Sequence, residues 1–322
     1  MKHVAAALRF PVVLVRHHEL LGAFVRRELR ARIEGSILGR VWPIVQPAIL
    51  FLIYYFVFSK ILKIGFTDKL APHGDALQGW RTTFYLVTGI LPWTALSETL
   101  SRGTGVVLEN ANLIKKIAFP SELLVVSQVI TYHVYFLFGF FILLAMELGV
   151  NGALPIALVW ALPILLVQML FVTGLALFLS AANVFVRDVM QAVPILLTFW
   201  MFTTPVFYDL DAVDHALTVQ VDQATHQVVA LESSGTDQEA LQSAREVLLS
   251  KEASLSDVRF GKQVMNYNPM AGMLGMWRSI FSYGVVAFPL TTFFNLLALS
   301  LAVLLLGYAY YLRCKGHFAD EV

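Results

Sequence analysis

ELLVVSQVITYHVYFLFGFFILLAMEL, residues 122–148, holds a bilayer's length of apolar sequence between its two glutamates, and only His133 inside it can change charge near neutrality. A membrane-spanning helix needs roughly 20 such residues. A soluble core needs no run of that length, so this stretch decides the fold class. Five more apolar segments have the reach to cross, over residues 41–61, 84–100, 154–184, 191–208 and 287–312. The expected fold is an all-α integral membrane protein with six transmembrane helices. Pro92 in the second span, and Pro194 with Pro205 in the fifth, interrupt short segments and mark them as bent or partly re-entrant.

Composition agrees. Of 322 residues 58% are hydrophobic and only 14% charged, against about 25% charged in an ordinary soluble chain. The single cysteine, Cys314, excludes an intrachain disulfide and a cysteine-rich metal site. Arg9 breaks the apolar start and no small-residue cleavage site follows, which argues against a cleaved signal.

Lysine and arginine in short flanks set orientation. Lys2, Arg9, Arg16, Arg26, Arg27, Arg30, Arg32 and Arg40 precede the first span, and Arg102, Lys115, Lys116, Arg187, Arg313 and Lys315 fall on the same side. The opposite side has Lys60, Lys63, Lys69 and Arg81 in its short segments. Both termini are therefore expected in the cytoplasm. The chain divides into a cytoplasmic segment 1–40, five spans over 41–208, an extracytoplasmic insertion 209–262, an outer interfacial or re-entrant helix 263–286, a sixth span 287–312 and a cytoplasmic tail 313–322.

Before the first span Leu21, Val25, Leu29, Ile33 and Ile37 recur every fourth residue, with Arg26, Arg30 and Glu34 on another face. This is an amphipathic helix suited to lie among anionic headgroups. In the insertion, Thr236 and Glu239 form a capping box ahead of a stripe of Ala240, Leu241, Ala244, Val247 and Leu248. Upstream, Leu217, Val219 and Val221 alternate with polar residues as in a half-buried strand. A short striped helix must dock on its own chain or on a partner.

Ionisable groups inside spans usually serve function. No pair of carboxylates lies in position to relay protons, and His133 alone reads as a packing residue. No phosphate loop is present, since Gly261-Lys262 lacks the upstream glycine and the following hydroxyl. No H-E-x-x-H or His/Cys cluster suggests a metal. The chain is expected to hold no cofactor and to be no enzyme. The spans do offer aromatics: Tyr54, Tyr55 and Phe58 in the first, and Tyr132, Tyr135 and Phe136 in the third. A sugar chain would need the apolar face and hydrogen-bonding tip of such rings, although tyrosines of an interfacial belt would look the same.

The stretch RRELRARIEGSILGRVWPIVQPAIL, residues 26–50, resembles the N-terminal signature of ABC-transporter permeases that export bacterial surface polysaccharides: O-antigen, teichoic acid or capsule. NANLIKKIAFPSELL (110–124), NVFVRDV (183–189), FTTPVFYDL (202–210) and YNPMAG (267–272) resemble the family's loops in the same order. The resemblance implies a homodimer in the bacterial inner membrane, a lipid-linked polysaccharide as substrate, and two copies of a separate subunit that binds and hydrolyses ATP. It implies no nucleic acid partner. Asn110, Asn112, Leu113, Lys115, Lys116 and Phe119 would form a coupling helix against that subunit, with Arg187 and Asp188 at a second contact. Glu28, Arg30, Arg32 and Gly35 would sit at a cytoplasmic mouth. Residues 208–268 depart from the family pattern and would face a periplasmic partner. A drug or lipid exporter of the same superfamily, and a membrane enzyme acting on polyprenyl-linked sugars, are the alternatives.

Overall fold

The computed structural model describes residues 7–31, 34, 39–61, 75–117, 119–234, 238–281 and 288–321. Regular structure among them is helical throughout. Helices α1 (Phe10–Arg16) and α2 (His18–Ala31) precede α3 (Trp42–Tyr54), which continues as a π-wound turn over Tyr55–Ile61. Then come α4 (Asp75–Glu109), α5 (Ala111–Lys116), α6 (Glu122–Asn151), a 3₁₀ turn (Ile156–Trp160) and α7 (Ala161–Phe185). The remainder is α8 (Asp188–Phe202), α9 (Leu210–Ser234), α10 (Gln238–Met265), α11 (Pro269–Ile280), α12 (Leu290–Lys315) and α13 (Phe318–Glu321).

Among the described residues three helical stretches are long and apolar enough to cross a membrane: α6, the 3₁₀ turn with α7, and α12. The helices α3 and α8 are apolar but shorter. The second segment, read as short from 84 to 100, belongs to a continuous 35-residue helix. Helix α4 is the central post and packs on α6, α7, α8 and α11. Its length follows from its polar residues: Glu98, Arg102 and Glu109 line a cavity and so do not end the helix.

Close approach needs small residues where helices cross in lipid. Helices α7 and α12 make the most extensive contact in the bundle. A Cβ on Gly307 would run into the Gly174 carbonyl, and one on Gly174 would stand 2.5 Å from the Val303 carbonyl. At the basic end, where Arg27, Lys115, Arg187 and Lys315 gather, the start of α6 is tied to the end of α12. Lys315 Nζ lies 2.6 Å from Glu122 Oε2, Tyr308 donates to Glu122 Oε1 at 2.9 Å, and Tyr311 donates to Ser121 at 2.9 Å. Toward the other end, Gln168, fully buried, donates to the Pro92 carbonyl (3.0 Å) and accepts from Trp277 Nε1 (2.8 Å). Its amide thereby joins α4, α7 and α11 with its oxygen and one N–H engaged.

The insertion corrects two expectations. Residues 217–221 form no strand; they lie within α9, where Leu217 and Val221 are one helical turn apart and Val219 is exposed. The helix after Thr236, which itself lies outside the described residues, continues to Met265 as α10. Together α9 and α10 make an antiparallel hairpin. Its inner positions are Asp214, Leu217, Val221, Ala224, Val228 and Leu231 on one helix, and Leu241, Ala244, Leu248, Lys251, Leu255, Val258 and Lys262 on the other. Both rows step by three and four, the spacing of a coiled-coil seam. Ala240 and Val247 of the expected stripe face outward instead. The two helices pack chiefly on each other. Arg245–Glu232 (2.6 Å), Lys251–Gln220 (2.7 Å), Arg259–Asp214 (3.2 Å) and Lys262 with Asp211 (2.8 Å) and Asp214 (3.0 Å) stitch them along their length.

Candidate functional site

A cavity of about 420 Å³ opens between α2, α3, α4 and α6. That volume lies in the range of ligand sites. Helix α6 contributes Gln128, Tyr132 and Tyr135, which share a face by steps of four and three. Helix α4 answers with Glu98 and Arg102, four apart, and Glu109 two turns beyond. Gln46 and Pro47 of α3 form a third wall, and Glu28 of α2 stands at the basic end. Gln128 and Tyr132 are buried, whereas Glu98, Arg102 and Glu109 are exposed. The lining alternates amide, phenol and ion with apolar ring and proline. Such a surface suits a hydroxyl-rich chain, which offers hydrogen-bonding rims and apolar C–H faces.

The structure divides the aromatics singled out in the sequence. Tyr132, Tyr135 and Phe136 line this cavity. Phe136 also packs at 4.8 Å between ring centroids on Trp277 and at 5.9 Å on Phe140, so much of its ring is core. Tyr54 lies elsewhere, 6.4 Å from the Phe207 ring, and Tyr55 has Lys60 Nζ 5.7 Å from its centroid. The π winding from Tyr55 onward shifts helical register there. The Phe58 side chain is outside the described residues, as are Arg32 and Gly35. Of the candidate mouth, Glu28 lines the cavity and Arg30 is exposed on α2. Glu98 and Gln128 were not singled out from the sequence, and Arg102 was read there only as a charge that sets orientation. Their signal is a polar residue every third or fourth position within an apolar helix.

At the basic end α5 forms a short shelf. Asn110 precedes it, donating to the Val106 carbonyl (2.9 Å) and accepting from Arg27 of α2 (3.2 Å). Arg27 also pairs with Glu28 at 2.9 Å, and Phe24 meets Phe119 at 5.7 Å. The shelf is thus bolted to α2. Leu113, Ile114 and Phe119 turn partly into the core, leaving Asn112, Lys115, Lys116 and Ile117 as the exposed surface. Arg187 and Asp188 are exposed at the elbow between α7 and α8. The Asn183 side chain accepts from the Met190 amide at 3.1 Å, capping α8 from the preceding helix and holding the elbow. His133 is buried, its Nδ1 2.7 Å from the Val129 carbonyl. Among the described residues no three His, Cys, Asp or Glu side chains gather as a metal site.

A helical membrane body with an amphipathic groove and an exposed basic shelf defines a transporter-like integral membrane protein. The ABC-2 type transporter family matches residues 19–220, from α2 through the first part of α9, and the chain belongs to that family. It is similar to the O-antigen export system permease protein RfbA of Myxococcus xanthus, 29% identical over 222 residues covering 69% of this chain and 80% of that protein. It is also similar to two RfbA O-antigen export system permease proteins of Klebsiella pneumoniae. Each is 22% identical over 304 residues, 94% of both chains.

Proposed function

We propose that the chain is the membrane permease subunit of an ABC transporter that exports a lipid-linked surface polysaccharide across the bacterial inner membrane. The observation that carries the reading is the cavity between α2, α4 and α6, with Tyr132, Tyr135, Gln128, Glu98 and Arg102 facing one another. The kinship with O-antigen export permeases points to the same cargo class. Helices α3, α4, α6, α7, α8 and α12 are the six spans, with the basic end and both termini in the cytoplasm. Two copies of the chain form a homodimer with the polymer path between them.

The energy comes from a separate ATPase, two copies of which seat against the shelf of Asn112, Lys115, Lys116 and Ile117 and against Arg187 and Asp188. ATP is bound by that partner. Glu28 and Arg30 of α2 stand beside the cytoplasmic mouth, and the α9–α10 hairpin projects outward, within reach of a periplasmic protein. The test is charge reversal of the shelf. Lys115→Glu with Lys116→Glu should release the ATPase on co-purification and stop polymer from appearing at the cell surface. Undiminished co-purification and export would remove the coupling role.

A further inference from the structure

On the hairpin side lies a second, larger cavity of about 850 Å³. It has the roots of α9 and α10 as one wall and α11 and the start of α12 as the others. The wall from α11 includes the small residues Ala271, Gly272, Gly275 and Ser279 beside Pro269, Met276 and Arg278. A Cβ at Gly275 would meet nothing within 4 Å, so the glycine faces open space and is not packed under a neighbour. Asn295 of α12 and Asn266 at the foot of α10 line the other sides, and Tyr267, 89% exposed, offers an open ring.

The charges define what fits. Among the described residues two cations border the cavity, and both are engaged. Lys262 is held by Asp211 and Asp214. Arg278 lies 3.7 Å above the Tyr85 ring and donates to the Tyr85 (3.3 Å) and Val206 (2.9 Å) carbonyls. Asp209 accepts from the amides of Asp211 and Ala212, turning the chain into α9. Among the described residues, a phosphate would meet the Asp209 and Asp211 carboxylates without an available cation opposite. A purely apolar guest would bury Asn266, Asn295 and Asp211 at a cost. A neutral, hydroxyl-rich guest satisfies both, donating to carboxylate and amide oxygens and laying a C–H face on a tyrosine ring.

We infer that this cavity is an extracytoplasmic saccharide-binding site, holding one or two pyranose units under the root of the coiled-coil hairpin. The inserted hairpin is then one wall of a binding site, and the Lys262 clamp to Asp211 and Asp214 keeps that wall in place. The inference rests on the export reading only for the identity of the glycan: sugars of the emerging polymer.

The test uses the full chain in nanodiscs with its ATPase. The probe is the host's own surface polysaccharide, cut by mild acid to lipid-free oligosaccharides and labelled at the reducing end. Dextran oligosaccharides of equal length are the control. Fluorescence anisotropy should show saturable binding that Gly275→Leu weakens at least tenfold and Asn295→Ala several-fold, with melting temperatures unchanged. Equal binding by the parent and Gly275→Leu proteins overturns the inference. So does binding of the lipid-linked polymer alone, which would make the cavity a lipid seat. ATP turnover with lipid-linked polymer is measured alongside. Stimulated turnover without oligosaccharide binding removes the cavity site and spares the export reading. Oligosaccharide binding without stimulation does the reverse.

Discussion

Replacing Lys315 by methionine removes the cation that faces Glu122 at 2.6 Å. Glu122 is 2% exposed, so its carboxylate would remain in a nearly dry site with the Tyr308 hydroxyl at 2.9 Å as its remaining side-chain donor. Breaking a buried ion pair from one side costs about 3–5 kcal/mol. The Lys315 side chain keeps 32% of its exposure, and water reaching that end trims the expected loss to about 2–3 kcal/mol. Glu122→Gln leaves a neutral amide that can still accept from Tyr308, and it should cost less, about 1–2 kcal/mol. With both changes no charge is stranded, so the double variant should be less destabilised than the sum of the singles by at least about 1 kcal/mol. The assay is built into the chain. Cys314, its single cysteine, is free and buried beside Lys315, so a thiol-reactive fluorophore reads the opening of the α6–α12 junction during a thermal ramp. Tryptophan fluorescence supplies the global transition. Strictly additive losses, or a Lys315→Met protein as stable as its parent, would refute the idea that this pair locks the junction.

Gly174→Val should destabilise by more than the roughly 1–3 kcal/mol of ordinary overpacking, because the new atoms meet backbone of α12 that cannot rotate away; a melting temperature within a degree of the parent would contradict this crossing. Arg102→Ala and Tyr132→Phe should each lower polymer export several-fold while leaving the ATPase subunit bound, and normal surface polysaccharide in both would take the α4–α6 cavity off the path. The root of the hairpin should respond to pH. Hydrogen bonds from Lys262 and Arg259 hold the Asp214 carboxyl below its usual range, and the bond to Asp211 raises the Lys262 ammonium. The clamp's stabilisation is therefore full above the ordinary aspartate range and is lost as pH falls through the depressed Asp214 value. At the alkaline end it is full below the ordinary lysine range and lost as pH rises through the elevated Lys262 value. Protection of the amides at the foot of α9 and α10, taken relative to the intrinsic exchange rate at each pH, should fall at both extremes from its value at neutral pH, and an Asp214→Asn protein with the parent's protection profile would show the clamp to be idle.

Much of the helical architecture could be read from run length, because a bilayer demands it. The long apolar runs of α6, α7 and α12 carry few charges and leave little choice of structure. Helix α4 was harder. Glu98, Arg102 and Glu109 look like the end of a span when polarity is summed along the chain, yet their spacing puts them on a cavity wall of one continuous helix. The hairpin misled for a related reason. Leu217, Val219 and Val221 fit a period of two, while the seam that forms uses Leu217 and Val221 with Asp214, Ala224 and Val228. Small and charged residues in that seam, Ala244 and Lys262 among them, hide the three-and-four pattern from an apolar count. The site was half legible. Tyr132 and Tyr135 could be found as aromatics on one face, but their partners Gln128, Glu98 and Arg102 come from positions that only packing of α4 on α6 brings together. The α5 shelf shows the same limit: sequence marked Leu113 and Lys115 alike, and folding half-buries one and exposes the other.

The proposed function turns on one step, the carriage of a glycan across a bilayer on energy delivered through α5 and the α7–α8 elbow. Proteoliposomes containing the chain and its ATPase, with fluorescently labelled lipid-linked polysaccharide in both leaflets, test it directly. Addition of ATP outside should make the pool on the ATPase side inaccessible to an added glycosidase, at a rate abolished by Lys115→Glu with Lys116→Glu. Protection that proceeds without the ATPase subunit, or that never develops with it, would contradict the claim.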